Sequence, residues 1–502
     1  MKLLPDIKDF TKKFDKKGGK LVWTTMPADI ETPVSVALKL KDEKYLSLFE
    51  SVEQGRSRGR YSFLALCPSH IWRCVDGQPQ VNSDPIVKPD DYINDGDDVF
   101  DSLRNFINDT KFKLPQELPH MSSGIFGYMG YDMVRYMEKL PDSNEDNIGI
   151  PEAVFIRPQI VIIFDSVKDE MIIAAPLFGI NGNANEVYEV AQNRIESIIK
   201  KLVDSNLSKE YLKNTNCEGE SKQLKVSSNV SREQYHEMVI KAKEYILAGD
   251  IFQVVPSQRF TVDFPYDPFS LYRVLRSMNP SPYSFYIKMD SFSLVGSSPE
   301  ILVRMNEGKV TVRPIAGTRK RGDNKKEDIS LAKDLLSDEK ELAEHLMLID
   351  LGRNDVGRVA KTGTVNVTEK MVIEYYSHVM HIVSKVEGKA KKKVEALDAV
   401  IAGFPVGTVS GAPKIRAMEI IDELEKQKRS FYAGGVGFFS SNGDVDMCIT
   451  LRTGLVKEDK LYVQAGGGVV ADSDPEDEYQ ESCNKAKALL KAAEEVAKRD
   501  WW

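Results

Sequence analysis

ELAEHLMLIDLGRND, residues 341–355, carries leucine and isoleucine side chains at the spacing of an amphipathic helix. Glu341 and Glu344 stand three residues apart within it. A helix would project both carboxylates from one face, about one turn apart. The stretch therefore predicts a half-buried helix whose exposed face is acidic.

A segment near the C-terminus repeats this arrangement. Glu478, Glu481 and Lys485 have the spacing of residues that share one helical face. Four carboxylates from two helices suit a hard divalent ion, because Mg²⁺ takes one or two carboxylates together with water and substrate oxygens. Taken alone, each pair also fits an ordinary solvated helix face.

The composition is typical of a soluble globular protein. The 502 residues are 42% hydrophobic and 29% charged, a length that favours two or three subdomains. A net charge of −8 without a basic cluster argues against nucleic-acid binding. The five cysteines lack C-x-x-C or zinc spacing, which indicates free thiols in a reducing compartment. No signal peptide is apparent and no apolar run approaches the roughly 18 residues of a membrane span, so we expect a cytoplasmic protein without membrane contact.

Runs of strand-like sequence broken by isolated helices predict an α+β fold, with large, mostly antiparallel β-sheets packed as a sandwich and helices on the outer faces. Residues 33–40 (PVSVALKL) alternate and are expected to form a strand, whereas residues 45–52 are expected to be a short helical or irregular segment. Residues 158–176 are expected to form a hairpin of two buried strands. These patterns do not have the regular βαβ alternation of a parallel sheet.

The clearest break in the chain is polar and rich in Asn, Ser and Lys. It divides the sequence into residues 1–204, a linker over 205–230, and residues 231–502. A capping box at Ser231–Gln234 opens the second half with a helix. We expect residues 1–204 and residues 231–502 to form separate subdomains.

Three loop segments carry potential anion-binding or acid–base groups. QAGGGVV (464–470) and TVSGAPK (408–414) combine glycine-rich backbone with a following helix, and such backbone can present N–H groups to an anion. Neither segment matches a nucleotide-binding motif. GSSPE (296–300) places Glu300 just after a strand, where burial would suit a general acid; a surface turn carboxylate is the alternative.

The second half contains, in order, the motifs GDIFQVVPSQRF, NPSPYSFY, GSSPEILV, RPIAGTRKRG, EHLMLIDLGRNDVGRV, FPVGTVSGAPKIRAME, YAGGVGFFS, LRTG, QAGGGVVADSDPEDEYQE and NKAKAL. Together they closely resemble the chorismate-utilising enzymes, in particular the anthranilate-forming branch. The first half matches more loosely, through FES (49–51), RYSF (60–63) and GYMGYDMVRY (127–136). The resemblance covers most of the chain and implies the sandwich fold of that family. It also implies that residues 1–204 form a regulatory subdomain on the tryptophan-binding side and residues 231–502 a chorismate-binding catalytic subdomain.

The resemblance implies a Mg²⁺ cofactor and a chorismate site. Glu344 and Glu481 match the metal ligands, and Glu341 and Glu478 match partners that hold metal-bound water. The positions that match substrate-binding residues are Gly317, Thr318, Tyr432, Arg452, Gly466, Gly467, Gly468 and Lys485. In this interpretation Arg452 and Tyr432 bind the enolpyruvyl carboxylate, since a planar guanidinium suits bidentate recognition.

The resemblance also implies catalytic roles. Glu300 matches the general acid that protonates the departing C4 hydroxyl, and Thr408 matches a substrate-contacting position. His381 lies where the family keeps an active-site histidine; a buried histidine bonded to a backbone carbonyl is the alternative. The catalytic set expected from the family is therefore Glu300, His381, Thr408 and Gln253.

Two positions distinguish branches of the family. Relatives that add water use a lysine as general base where this chain has Gln253, which cannot accept a proton at neutral pH. Aminodeoxychorismate synthases commonly have lysine at Ala316. The resemblance thus implies amination of chorismate at C2 with ammonia, then loss of pyruvate to give anthranilate, the first committed step of tryptophan biosynthesis. Aminodeoxychorismate synthase component I and a catalytically silent binding subunit are the alternatives.

Partners and regulation follow from the same resemblance. None of the cysteines lies in the glycine-rich elbow of a glutamine amidotransferase, so a separate glutaminase subunit is expected to supply ammonia in a hetero-oligomer. Feedback inhibition by tryptophan is also implied, although Phe49 replaces the usual leucine. The positions that match the inhibitor pocket are Glu50, Ser51, Pro282, Tyr283 and Ser284.

Overall fold

The computed structural model describes residues 1–15, 19–53, 57–205, 224–376 and 379–498. Its helices are α1 (Ile7–Lys12), α2 (Pro33–Lys39), α3 (Val99–Asn108), α4 (Ala184–Asp204), α5 (Arg232–Leu247), α6 (Pro268–Met278), α7 (Lys325–Leu335), α8 (Glu339–Val359), α9 (Ala396–Gly403), α10 (Lys414–Leu424) and α11 (Pro475–Lys498). Among these described helices, none is both long enough and apolar enough to cross a membrane.

The strands make up most of the fold. They are β1 (Lys20–Pro27), β2 (Leu46–Glu53), β3 (Ser57–Val75), β4 (Gln78–Asn82), β5 (Ile93–Asn94), β6 (Gly124–Met129), β7 (Ala153–Asp165), β8 (Glu170–Leu177), β9 (Val226–Ser228), β10 (Gln253–Val254), β11 (Ser257–Asp263), β12 (Tyr283–Lys288), β13 (Ser293–Ser298), β14 (Ile301–Asn306), β15 (Lys309–Val312), β16 (Ile315–Lys320), β17 (Asn366–Tyr375), β18 (Val379–Lys389), β19 (Gly411–Ala412), β20 (Gly435–Ser440), β21 (Val445–Ile449), β22 (Thr453–Lys457) and β23 (Lys460–Gly466).

The strand pairings are antiparallel and join the two halves of the chain. β2 pairs with β12, so that Glu50 lies opposite Ser284, and β6 pairs with β20. The β7–β8 hairpin predicted from residues 158–176 is confirmed. The fold class is confirmed as a large antiparallel sheet system with helices packed against it.

Alternate residues of β3 face two different apolar cores. Phe63 and Ala65 belong to a core built from residues of both halves. Leu64 and Leu66 face a second core, which α2, α4, α6 and α11 cover from outside. The period-two alternation of a strand therefore buries both faces of this sheet, and helices close the outer one.

Two local predictions were wrong. Residues 33–39 form a helix because Thr32 and Ser35 make a reciprocal capping box and Pro33 occupies the first turn. Residues 46–53 form β2, because β3 and β12 supply a strand partner on each side.

The predicted division at 205–230 stays a prediction. Residues 206–223 of that linker lie outside the described residues. The end of the linker forms β9, which pairs with β11. β11 in turn pairs with β23, the strand that leads into the glycine-rich segment.

Candidate active site

The two acidic helices predicted from the sequence are α8 and α11, and they face one another. Asp338 caps α8 by accepting hydrogen bonds from the backbone N–H groups of Lys340 and Glu341. Burial raises the pKa of Glu344, and the negative charges of Glu341 and Glu481 raise it further. That mutual repulsion shows that the two helices bring their carboxylates together.

The α11 carboxylates have only part of their hydrogen-bonding capacity satisfied. Ser473 donates its hydroxyl hydrogen to Glu478 Oε1 at 2.6 Å, whereas Glu478 Oε2 is buried without a partner among the described residues. Lys485 Nζ lies 2.7 Å from Glu481 Oε1 and donates to the Gly466 carbonyl at 3.0 Å. Burial opposes the charge of Lys485, but the Glu481 carboxylate outweighs it, so the pKa of the ammonium is raised.

This donor set fits Mg²⁺. Among the described residues, no three His, Cys, Asp or Glu side chains are arranged to enclose a metal by themselves. Mg²⁺ does not require such a cage, since it binds through one or two carboxylates plus water and substrate oxygens. The buried orphan oxygen of Glu478 and the repulsion around Glu344 are what a bound cation would relieve.

Glu300 lies between β13 and β14 and is buried. Thr408 donates its hydroxyl hydrogen towards both carboxyl oxygens, at 3.1 and 3.2 Å. Burial nevertheless raises the pKa of Glu300 to about 8, because the hydrogen bond from Thr408 and the charge of Lys485 only partly offset desolvation. At neutral pH this side chain is therefore a neutral carboxyl that can donate a proton.

His381 is held by the bulge of the neighbouring strand. β16 and β18 lose register between Ala316 and Thr318, where Gly317 adopts a φ of +69°. The Gly317 carbonyl and the Thr318 hydroxyl lie 3.0 Å from His381 Nδ1. A carbonyl only accepts, so Nδ1 carries the hydrogen and Nε2 keeps its lone pair. Burial lowers the pKa of His381 to about 4, so the ring is a neutral base.

Gln253 lies between the Glu344 carboxylate and the glycine-rich segment Gly466–Gly468. Its amide nitrogen donates to Glu344 Oε1 at 3.4 Å, and its Oε1 is buried without a partner among the described residues. A Cβ on Gly468 would lie 2.4 Å from the Gln253 amide nitrogen, and one on Gly467 would lie 2.6 Å from Glu478 Oε2. A side chain at Gly467 or Gly468 would therefore displace the ends of the Glu478 and Gln253 side chains.

Arg452 and Tyr432 lie on the side of the site formed by the β21–β22 connection. Burial lowers the pKa of Arg452, and no ion pair involves it within the described part of the chain. Tyr432 is buried, and the Arg429 guanidinium lies 5.5 Å from its ring centroid. Arg452 is partly exposed, and a partly buried guanidinium without a carboxylate partner among the described residues suits an anionic ligand.

The sequence did not identify Arg429, which organises this region. Its guanidinium donates to both Glu425 oxygens and to the carbonyls of Val255 and Val409. Val409 follows Thr408, so one buried cation ties the Thr408 loop to the strand segment after Gln253. Nothing in the local pattern around Arg429 distinguishes it from a surface arginine.

The predicted inhibitor residues also come together. A cavity of about 680 Å³, named here the shared cavity, is lined by residues of both halves. Glu50 accepts hydrogen bonds from Arg276 and Tyr272, and Ser51 donates to the Tyr61 carbonyl at 3.4 Å. Ser284 Oγ is buried without a partner among the described residues. Pro282 and Tyr283 line the same cavity. Glu50 thus shapes the wall, while Ser284 offers a free hydroxyl.

The chain is similar to known proteins over most of its length. A sequence model of the chorismate binding enzymes matches residues 73–491. Anthranilate synthase component 1 of Cereibacter sphaeroides is 50% identical over 95% of this chain and 95% of its own length. The protein of the same name from Aquifex aeolicus is 45% identical over 94% of each chain.

Solved structures show the same similarity. Anthranilate synthase component I from Streptococcus pneumoniae is 37% identical and superposes with a TM-score of 0.76, covering 86% of this chain and 92% of its own. The menaquinone-specific isochorismate synthase MenF from Escherichia coli is 17% identical with a TM-score of 0.70, over 97% of this chain and 98% of its own, and shares the fold. The chain belongs to the chorismate binding enzyme family, among relatives named anthranilate synthase component 1.

Proposed function

We propose that this chain is component I of an anthranilate synthase, a lyase that aminates chorismate at C2 and then eliminates pyruvate. The observation that carries the proposal is the buried Glu300, whose pKa of about 8 keeps it protonated at neutral pH. Such a group can protonate the C4 hydroxyl of chorismate, which leaves as water while ammonia bonds to C2. The names of the relatives support the same reaction.

The choice of nucleophile rests on Gln253. Its amide cannot remove a proton from water, whereas neutral ammonia is a nucleophile without a base. The neutral Nε2 of His381 can then accept the C2 proton. The C2–H electrons form the aromatic double bond as the C3–O bond breaks and pyruvate leaves.

The metal in this proposal is Mg²⁺, bound by Glu344 and Glu481 with Glu341 and Glu478 behind them. When bound, it would neutralise the ring carboxylate of chorismate and polarise it for the first step. Lys485 and the backbone of Gly466–Gly468 would share that carboxylate, and Arg452 with Tyr432 would take the enolpyruvyl carboxylate. Gly317 and Thr318 would contact the chorismate ring between its two carboxylates.

A glutaminase partner supplies the ammonia in this proposal. Burial raises the pKa of Cys67 to about 12, and burial also raises the pKa values of Cys74 and Cys448, so these thiols are poor nucleophiles. The name component 1, carried by the relatives, implies a second component. The protein would then act as part of a hetero-oligomer in the cytoplasm.

Feedback inhibition by tryptophan completes the proposal, with the shared cavity as the binding site. The cavity of about 680 Å³ has room for the amino acid, and Ser284, which lines it, has a buried hydroxyl without a partner among the described residues. A buried polar group without a partner favours a ligand that supplies one.

A product assay tests the function. The full chain is incubated with chorismate, Mg²⁺ and an ammonium salt at mildly alkaline pH. Fluorescent anthranilate with equimolar pyruvate, lost on adding EDTA and not supported by glutamine alone, is the expected result. An aminated product that retains pyruvate would assign the chain to the aminodeoxychorismate branch. Absence of turnover would make it a silent binding subunit.

A further inference from the structure

The shared cavity and the active site are separated by a single layer of residues. Pro299 and Ile301 line the cavity on either side of Glu300, whose carboxyl faces Thr408. Tyr376 lines the cavity as well. Its ring contacts His381 edge-on, with 5.4 Å between the ring centroids. Two catalytic side chains therefore lie directly behind one wall of the cavity.

Tyr376 joins that wall to an ion pair which also lines the cavity. Its hydroxyl donates to Glu374 Oε2 at 3.1 Å, and Glu374 pairs with Arg313. All three side chains line the cavity. Glu374 is also the register partner of His381 across β17 and β18. His381 is thus paired with Glu374 through the strand backbone, and its ring is contacted by the Tyr376 ring.

The alternative connection, through Glu300, is more tightly held. The Glu300 carbonyl accepts a hydrogen bond from the Ile449 N–H at 3.0 Å, and its carboxyl is bonded to Thr408. By contrast, the Tyr376 hydroxyl makes one hydrogen bond within the described part of the chain, to a carboxylate that a cavity ligand can itself contact. Tyr376 is therefore the element whose position a ligand in the cavity can change most directly.

We propose that Tyr376 is a positioning residue that couples occupancy of the shared cavity to His381 through the Arg313–Glu374 pair. A ligand contacting that pair changes the hydrogen bond to the Tyr376 hydroxyl, and the ring shifts against His381. Coupling of this kind requires that the ligand and chorismate favour different positions of the ring. The inference rests on the proposed function, since it takes tryptophan as the ligand and chorismate as the substrate.

The test measures binding alone. Tryptophan affinity of the full chain with Mg²⁺ is determined by calorimetry, with and without saturating chorismate, in the absence of ammonia and glutamine so that no amination occurs. The ratio of the two dissociation constants is the coupling between the sites. Allosteric coupling is reciprocal and typically about 5- to 150-fold, so chorismate is expected to weaken tryptophan binding to the parent chain by such a factor.

Two variants alter the hydrogen bond between the Tyr376 hydroxyl and Glu374, one on each side of it. Tyr376→Phe keeps the ring on His381 and removes the hydroxyl, and Glu374→Gln keeps the shape and removes the charge. Both are expected to bind tryptophan and chorismate separately but to show a coupling ratio close to one. Tyr375→Phe is the matched control, because the ring of Tyr375 stacks under Arg321 and does not line the cavity; it should keep the parent ratio.

The outcomes separate the inference from the function on which it rests. Tryptophan binding with parental coupling in both Tyr376→Phe and Glu374→Gln would overturn the coupling role while leaving the proposed regulation intact. Failure of the parent chain to bind tryptophan would overturn both. Loss of coupling in Tyr375→Phe to the same extent would also overturn the inference, since any nearby change would then suffice.

Discussion

The Thr408 hydroxyl lies 3.1 Å from Oε1 and 3.2 Å from Oε2 of Glu300. This hydrogen bond favours the ionised carboxylate and so lowers the pKa that burial raises. The balance leaves the pKa of Glu300 at about 8, which keeps the acid protonated under physiological conditions but close to losing its proton. Thr408 therefore lowers the pH at which Glu300 loses its proton.

Thr408→Val is expected to shift the alkaline limb of the pH–activity profile upwards. The parent activity should fall as the pH rises through about 8, because Glu300 then loses the proton that it donates. Removing a hydrogen bond to the ionised form raises the pKa further, by about one unit for an interaction of roughly 1.4 kcal/mol. Ser410→Ala in the same loop is the control, because Ser410 donates to the Val406 carbonyl instead. A downward shift in Thr408→Val would contradict the assignment.

Glu344→Gln and Glu481→Gln are expected to abolish Mg²⁺-dependent turnover while leaving the fold intact. Each removes a carboxylate from the face shared by α8 and α11, where the charges already interact. Calorimetry with Mg²⁺ gives a readout independent of activity. The control is Glu339→Gln, which removes an exposed carboxylate from the first turn of α8. Retained Mg²⁺ binding in both site variants would remove the metal assignment.

Gly317→Ala is expected to weaken chorismate binding and lower stability. The residue adopts a φ of +69°, a conformation that costs a non-glycine residue roughly 1–2 kcal/mol. An added Cβ would also lie 3.1 Å from Glu341 Oε2. Gly363→Ala is the matched control, since it has a φ of +77° with open space around its Cβ. A similar substrate affinity in both variants would show that the bulge at Gly317 does not position the site.

Local spacing predicted only the acidic helix faces; the other site residues were expected from the family resemblance, and the surroundings of the site could not be predicted. Glu341 and Glu344 share a helical face by spacing alone, and α8 confirms that face. Burial raises the pKa of Glu300, and Thr408 and Lys485, both distant in sequence, oppose that rise. The same holds for Arg429, since its four acceptors come from three separate segments.

The two wrong predictions of secondary structure also arise from interactions that the local sequence pattern does not reveal. The alternation over residues 33–40 favoured a strand, but the capping box of Thr32 and Ser35 forms only once the segment is helical. Conversely, residues 46–53 have a weak pattern and become a strand because β3 and β12 pair with them. Strand formation depends on such partners more than on intrinsic preference.

Ser51→Phe is expected to abolish inhibition by tryptophan. Ser51 Oγ already fills the space beside Gly59, because a Cβ on Gly59 would lie only 1.7 Å from it. A larger side chain at position 51 must therefore turn towards the shared cavity and occupy it. The measurements are the tryptophan dissociation constant and the rate of anthranilate formation with and without tryptophan. Ser47→Ala, elsewhere on β2, is the control, since Ser47 does not line the cavity. Unchanged tryptophan affinity in Ser51→Phe would remove the pocket assignment.

Arg429→Met is expected to destabilise the fold strongly. The guanidinium is 2% exposed and its charge is balanced by Glu425, which also accepts hydrogen bonds from the Ser257 N–H and hydroxyl. Removing one member of a buried ion pair leaves the other uncompensated and typically costs about 3–5 kcal/mol. The free energy of unfolding from denaturant titration measures this loss. The double variant Arg429→Met/Glu425→Gln no longer carries the uncompensated charge, so it should recover part of the lost stability. A double variant less stable than Arg429→Met would show that hydrogen bonding by Glu425 matters more than its charge.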